Sequence, residues 1–255
     1  MKELAKLRAT MPLDDATIAE LDPATRTVIG RQWEDRATAE VRTAAAFAKV
    51  SFELLDVGAS PEVLQIAARA VADELEHGEL CRLAASAYYG RDTRWPAPGV
   101  AALPRHADAP RRLRPTLRLV EMCCISETIA AAWLEACLAE ARSPLARTVT
   151  KRLLADDIRH ARLGWMHLAS MRSDPLLERT IADQLVPLLD SVLRPWLRSA
   201  SEGFAPGVPA HAVPTPATTR EVVLATVTDA VLPGFDDVGI DTRAARSWLA
   251  GYNAA

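Results

Sequence analysis

Two stretches place a carboxylate three residues before a histidine inside segments that read as buried helix: Glu74 and His77 in "DELEHGEL", and Asp157 and His160 in "LLADDIRHARLGW". At i, i+3 the side chains share one helix face a turn apart, so each pair can aim an oxygen and a nitrogen at one point. Such donors bind divalent metal ions. A single pair arises easily by chance on a solvated face, whereas two pairs on facing helices define a centre. Asp156, i, i+4 to His160, is the alternative acid in the second pair. Asp157 reproduces the spacing of the first.

The elements that must position these pairs are marked by their ends. Gly58 stops one helix, and Ser60 with Pro61 caps and opens the next. Ser143 with Pro144 and Asp174 with Pro175 repeat the pattern. Between these marks apolar residues recur at helical spacing, as in Trp33, Ala37, Ala44, Phe47 and Leu54, then Val63, Ile66, Ala70, Ala84 and Tyr88. Strand-like alternation is absent. With further segments over about 113–141 and 145–171, four long helices are expected.

The second and third are joined by residues 90–110, too proline-rich for a helix. About 20 extended residues at about 3.3 Å each can run the length of a helix of about 40 Å. The helices on either side can therefore lie parallel. Short turn, long crossover, short turn is the connectivity of ferritin-like bundles. After residue 175 a helical pattern interrupted by Pro187 and Pro195 is expected, then a proline-rich loop over 205–216 and a last helix near 219–232, all packing on the bundle. The expected division is an N-terminal segment over 1–24, a four-helix bundle over 25–175 and a helical extension over 176–255.

On this plan both acid–histidine pairs lie about four to five turns from the tight turn beside them. Glu40 on the first helix and Glu127 on the third lie at matching heights. Glu40 shares its face with Ala37, Ala44 and Phe47, and Glu127 with Val120, Cys124, Ala131 and Leu134, so both point inward. Unpaired carboxylates in an apolar bundle are costly and raise one another's pKa. Two divalent ions would neutralise the four acids, and mixed oxygen and nitrogen donors suit iron or manganese.

The segments "AEVRTAAAF", "GASPEVL", "DELEHGELC", "CCISETIAA" and "DDIRHARLGW" resemble those of bacterial di-iron proteins in the superfamily of ferritins, rubrerythrins and di-iron oxygenases. The resemblance covers roughly residues 30 to 175. It implies Glu40, Glu74, His77, Glu127, Asp157 and His160 as metal ligands, with Glu74 and one acid of the second pair bridging. Most such proteins carry Glu where Asp157 stands.

The bulk composition agrees with such a chain. Its 255 residues are 49% hydrophobic, enough for a sizeable core, and its net charge of -3 lacks the basic stripe that nucleic acid requires. No signal sequence or uninterrupted membrane-length apolar run is read, so a cytoplasmic location is expected. Cys81, Cys123, Cys124 and Cys137 show no C-x-x-C spacing and read as reduced core thiols. His167 reads as a hydrogen-bonded pocket histidine, Tyr88 as core or rim, and His106 and His211 as solvated loop residues.

The expected activity is O₂ activation at a di-iron centre, with manganese or a mixed Mn/Fe pair as the variant, serving oxidation of a small organic substrate. Ferroxidase activity and a metal-stabilised interaction module are the alternatives. An electron donor and a homodimer are compatible with all three.

Overall fold

A computed structural model describes residues 2–97, 106–171, 174–201 and 206–253. Their regular elements are helices, apart from one isolated bridge between Val208 and Val213. Two short helices, α1 (Lys2–Thr10) and α2 (Ala16–Ala19), lead into α3 (Pro23–Asp56), α4 (Pro61–Tyr89), α5 (Arg111–Glu140) and α6 (Pro144–Ser170). The starts follow one rule. The Asp22 carboxylate accepts from Ala24 and Thr25, the Ser60 hydroxyl from Val63 and the Ser143 hydroxyl from Ala146, each just ahead of a proline. Gly58, at φ 69°, takes the left-handed conformation that lets α3 turn into α4.

Two apolar layers tie the long helices together. Phe47 and Leu54 of α3, Val63 and Ala67 of α4, Leu119 and Cys123 of α5, and Leu163 of α6 form one. Trp33 and Ala37 of α3, Leu80 and Ala84 of α4, Leu134 and Cys137 of α5, and Leu145 and Val149 of α6 form the other. Each fully buried aliphatic side chain in them stabilises by about 1.5–3 kcal/mol. The first layer takes the beginning of α4 and of α5, the second takes their ends, so these two helices run in the same direction. Their connection therefore crosses from one layer to the other. Residues 98–105 of that crossover lie outside the described residues.

Helix α5 is not uniform. Its Val120–Glu127 segment is π-helical, and this shifts its faces relative to an unbroken α-helix. Here α6 comes closest: a Cβ on Gly164 would stand 2.6 Å from Cys124 Sγ and 2.9 Å from Cys124 N. By length and composition α5 is the one described helix that could cross a membrane. Glu121 and Glu127 break its apolar run, and Leu117, Ile125, Ile129 and Leu134 are buried among other helices.

The C-terminal elements share a further apolar core with α5. Helix α7 (Pro175–Ser201) starts beneath the Asp174 carboxylate, which accepts from Leu176 and Leu177. Helix α8 runs through Pro216–Thr226, a π-helical Val227–Val231 and Leu232–Asp237, and α9 spans Arg243–Asn253. Ile181, Leu185, Leu189 and Leu193 of α7 and Val223, Val227 and Phe235 of α8 share a core with Leu117, Ile125 and Ile129 of α5.

Several expectations need correction. Pro187 and Pro195 do not interrupt their segment but sit exposed inside one continuous helix. A proline costs a helix interior about 3 kcal/mol, which the buried apolar face of α7 offsets. His211 is buried, at 5% exposure, because the turn Pro209–His211 is fastened to the α5–α6 turn, where Arg142 and Ser143 donate to the Ala210 carbonyl. Its Nδ1 lies 2.9 Å from the Tyr88 hydroxyl, and Tyr88 is core. The His106 side chain is also buried, with Nε2 3.7 Å from Glu121 Oε2. The Thr215–Pro216 signal starts α8 earlier than residue 219, and α9 was not expected.

Gly164→Ala should push α6 away from the π segment, with overpacking costing about 1–3 kcal/mol. Chemical denaturation should show that loss, whereas Gly58→Asn, in open space at a turn, should lose less.

Candidate metal centre

Between the two apolar layers the four long helices each contribute polar groups to one point. Glu74 and His77 come from α4, Asp157 and His160 from α6, Glu127 from the last position of the π segment in α5, and Glu40 from α3. Glu74, His77 and His160 are at most 1% exposed, and Glu40 reaches the point from a side chain 19% exposed.

The geometry resolves into two overlapping groups. Donor atoms of Glu74, Glu127, Asp157 and His160 lie within 4.8 Å of one another, as do those of Glu40, Glu74 and His77. Glu74 belongs to both. Its Oε1 is 3.0 Å from His160 Nδ1 and 3.8 Å from His77 Nδ1. Asp157 Oδ1 stands 3.8 Å from each of these nitrogens. The imidazole centroids are 6.1 Å apart, and Phe47 packs on His160 at 5.1 Å.

Four buried atoms aimed inward have no hydrogen-bond partner: Glu74 Oε2, His77 Nδ1, Asp157 Oδ1 and His160 Nδ1. An orphaned buried polar atom costs about 1–3 kcal/mol, and here the orphans converge. Divalent cations fit this donor set, since each would satisfy an imidazole nitrogen and several carboxylate oxygens together.

The outer nitrogens of the two imidazoles each face an aspartate of the other helix, and one of them is hydrogen-bonded to it. His77 Nε2, on α4, is hydrogen-bonded to Asp156 Oδ2 of α6 at 3.1 Å. His160 Nε2, on α6, faces Asp73 Oδ2 of α4 at 3.5 Å. Arg159 binds Asp156 and lies 3.7 Å from Asp73 Oδ2, linking the two supports. With each outer nitrogen turned to a carboxylate, Nδ1 is left as the metal-facing atom. Asp156, the alternative acid from the sequence, is thus turned away from the centre. The signal for these supports was an Asp immediately before each acid–histidine pair. His167, two turns beyond His160, bonds Thr116 Oγ1 at 2.9 Å instead, and burial lowers its pKa to about 4.

Crowding of like charge is severe without metal. Burial, then the Glu40 charge, pushes Glu74 well above the usual carboxylate range. Burial with Asp157 and Glu74 does the same to Glu127. Burial drives Asp157 to about 7 against the pull of His77. Burial would lower His77 and His160, but neighbouring carboxylates, Asp156 first for one and Asp73 for the other, raise both.

A cavity of about 570 Å³ opens directly onto this point. Glu40, Glu127 and Asp157 form part of its wall, together with Arg36, Trp133, Leu134 and Leu153. Trp196 of α7 and residues 213–219 at the start of α8 cover it, through Val213, Pro214, Pro216 and Thr219.

No protein-family model, curated protein or solved structure matches this chain.

Two outcomes follow from this geometry. Asp156→Ala should weaken metal binding about 10–100-fold by freeing the His77 ring, as a competition titration with a metal-binding dye would show. Metal entry must also displace the protons that Glu74, Glu127 and Asp157 retain. Affinity should therefore fall as pH drops through the Asp157 value of about 7, and the same titration in buffers spanning that value checks the slope.

Proposed function

We propose that this chain is a ferritin-like di-metal carboxylate protein that uses two iron ions to activate O₂ and oxidise a small organic substrate. The observation that carries this reading is the cavity. It reaches three of the six candidate ligands and is roofed by elements that are not needed to build the centre. The parallel run of α4 and α5 supports the ferritin-like connectivity.

Glu40 and His77 would hold one ion, Glu127 and His160 the other, and Glu74 and Asp157, which face both imidazoles, would lie between them. Two ferrous ions, when bound, would supply two of the four electrons of O₂ reduction, the other two coming from the substrate or the external donor. The chain does the rest. Asp156 holds the His77 tautomer and the Asp73 charge faces His160, the Phe47 and Trp33 layers keep water from the inner face, and the cavity orients the substrate beside Glu40 and Glu127. Cytoplasmic location, an external electron donor and independence from nucleic acid belong to the same reading.

Protein loaded anaerobically with Fe²⁺ should hold about two ions per chain by metal analysis, and the double variant His77→Ala, His160→Ala should hold almost none. Exposure of the loaded protein to O₂ should consume oxygen, and Glu40→Ala should slow that uptake at least about tenfold, equivalent to about 1.4 kcal/mol in the barrier. A cage-sized assembly carrying a mineral core of many irons would instead identify iron storage.

A further inference from the structure

The outer edge of the α3–α4 pair carries an apolar face that no described helix covers. On α3, Val41, Ala45, Ala48, Phe52 and Leu55 recur at alternating steps of four and three, and on α4 Leu64, Ala68, Val71 and Leu75 do the same. That is the period of a seam between packed helices. Yet Phe52 is 72% and Leu55 63% exposed, the most open large apolar side chains among the described residues. Val57 and Leu75 are exposed as well, and the three alanines lie open. The core-facing side chains of the same helices, such as Phe47, Leu54 and Ala67, point elsewhere, so this face is surplus to the core of one chain.

A Cβ on Gly78 would stand 2.8 Å from Val41 Cγ2, which fixes the two helices in height. Counted from the turn at Gly58, Ala68 is then level with Lys49 and Leu75 with Arg42. The face is therefore bulky toward both ends and alanine in the middle. Its charges follow the same plan. Arg42 and Asp56 flank the α3 stripe on one side, equally far from Lys49, and neither is ion-paired among the described residues.

We propose that this face joins two copies of the chain about a two-fold axis that crosses both helices at the height of Ala48 and Ala68. Such an axis sets α3 antiparallel to α3 of the other copy. Phe52 of each copy then falls on Ala45 of the other, Val57 falls on Val41, and Leu55 falls between Val41 and Ala45, so large side chains enter the hollows left by small ones. Arg42 of each copy meets Asp56 of the other, and opposite charges pair twice. An unrelated partner would give no reason for these charges to stand equally far from the alanines. Lys49, beside the axis on the rim, keeps its ammonium in water over its apolar stem. Two helices about 10 Å apart make the face about 20 Å wide, and Val41 to Val57 make it about 24 Å long. This outline of roughly 500 Å², with the charged rim added, reaches the range of about 600–1,000 Å² per partner found in specific complexes. The pairing does not rest on the di-metal reading.

The test is the mass of the full chain by sedimentation velocity at about 1–100 µM, since interfaces of this size hold at micromolar concentration or below. Twice 27.7 kDa is expected. Phe52→Asp should give a monomer with unchanged helical circular dichroism, while Met166→Asp, on the exposed surface of α6, should leave the dimer intact. Arg42→Glu should weaken association at least about tenfold by setting like charges together, and Arg42→Glu with Asp56→Arg should restore it. Because the native cysteines are buried, Ala48→Cys should link two chains through a short bis-maleimide. A monomer throughout that concentration range, a dimer that survives Phe52→Asp, or a charge swap that fails to restore association would overturn the proposal.

Discussion

Burying four carboxylates and two imidazoles at one point among apolar side chains is the constraint on which the rest of this structure turns. Isolated ionised groups in such surroundings are prohibitively expensive, and like charges add to the cost. The helices must therefore be stiff enough to hold the cluster and exact enough in height to converge it. Two apolar layers, one on each side, supply the stiffness. The close approach of Gly164 to the π segment supplies part of the height, by letting α6 lie against the backbone that presents Glu127.

Much of this was legible because it depends on local chemistry with a fixed period. Ser60, Ser143 and Asp174 each precede a proline, and each caps a helix. The i, i+3 spacing of Glu74 with His77 and of Asp157 with His160 puts each pair on one face whatever the partner helix does. Glu40 and Glu127 could be chosen by counting turns, since opposed helices of equal rise keep their heights. What escaped notice depends on contacts distant in sequence. His211 looked like a loop residue and is buried by hydrogen bonds to the turn at residues 142 and 143. Pro187 and Pro195 looked like breaks because their local cost is visible, while the core that offsets it is assembled from α5 and α8. Arg36 has no local mark: its partners are the indole of Trp133 and the carbonyl of Ala212.

The C-terminal third has a double role. It shares the largest apolar core with the outer face of α5, and through Trp196, Val213, Pro214, Pro216 and Thr219 it also forms part of the cavity wall. Shape at the mouth is thus tied to packing at a distance. A substitution in the α7–α8 core can alter the roof without touching a polar residue of the centre. On the reading proposed here, selectivity would reside in this covering layer and reactivity in the four helices beneath it.

The hydrogen bond of Asp156 to His77, and the Asp73 carboxylate set against His160, make α4 and α6 answerable to each other. Neither helix carries a finished half of the centre, since each brings the aspartate that the other's histidine requires. A slip of one helix past the other by a single turn, about 5.4 Å, would part both aspartate–imidazole contacts at once. The assembly therefore proofreads its own register: only the correctly aligned pair of helices ends with both imidazoles facing inward, and a misaligned chain is left with buried charge that nothing answers.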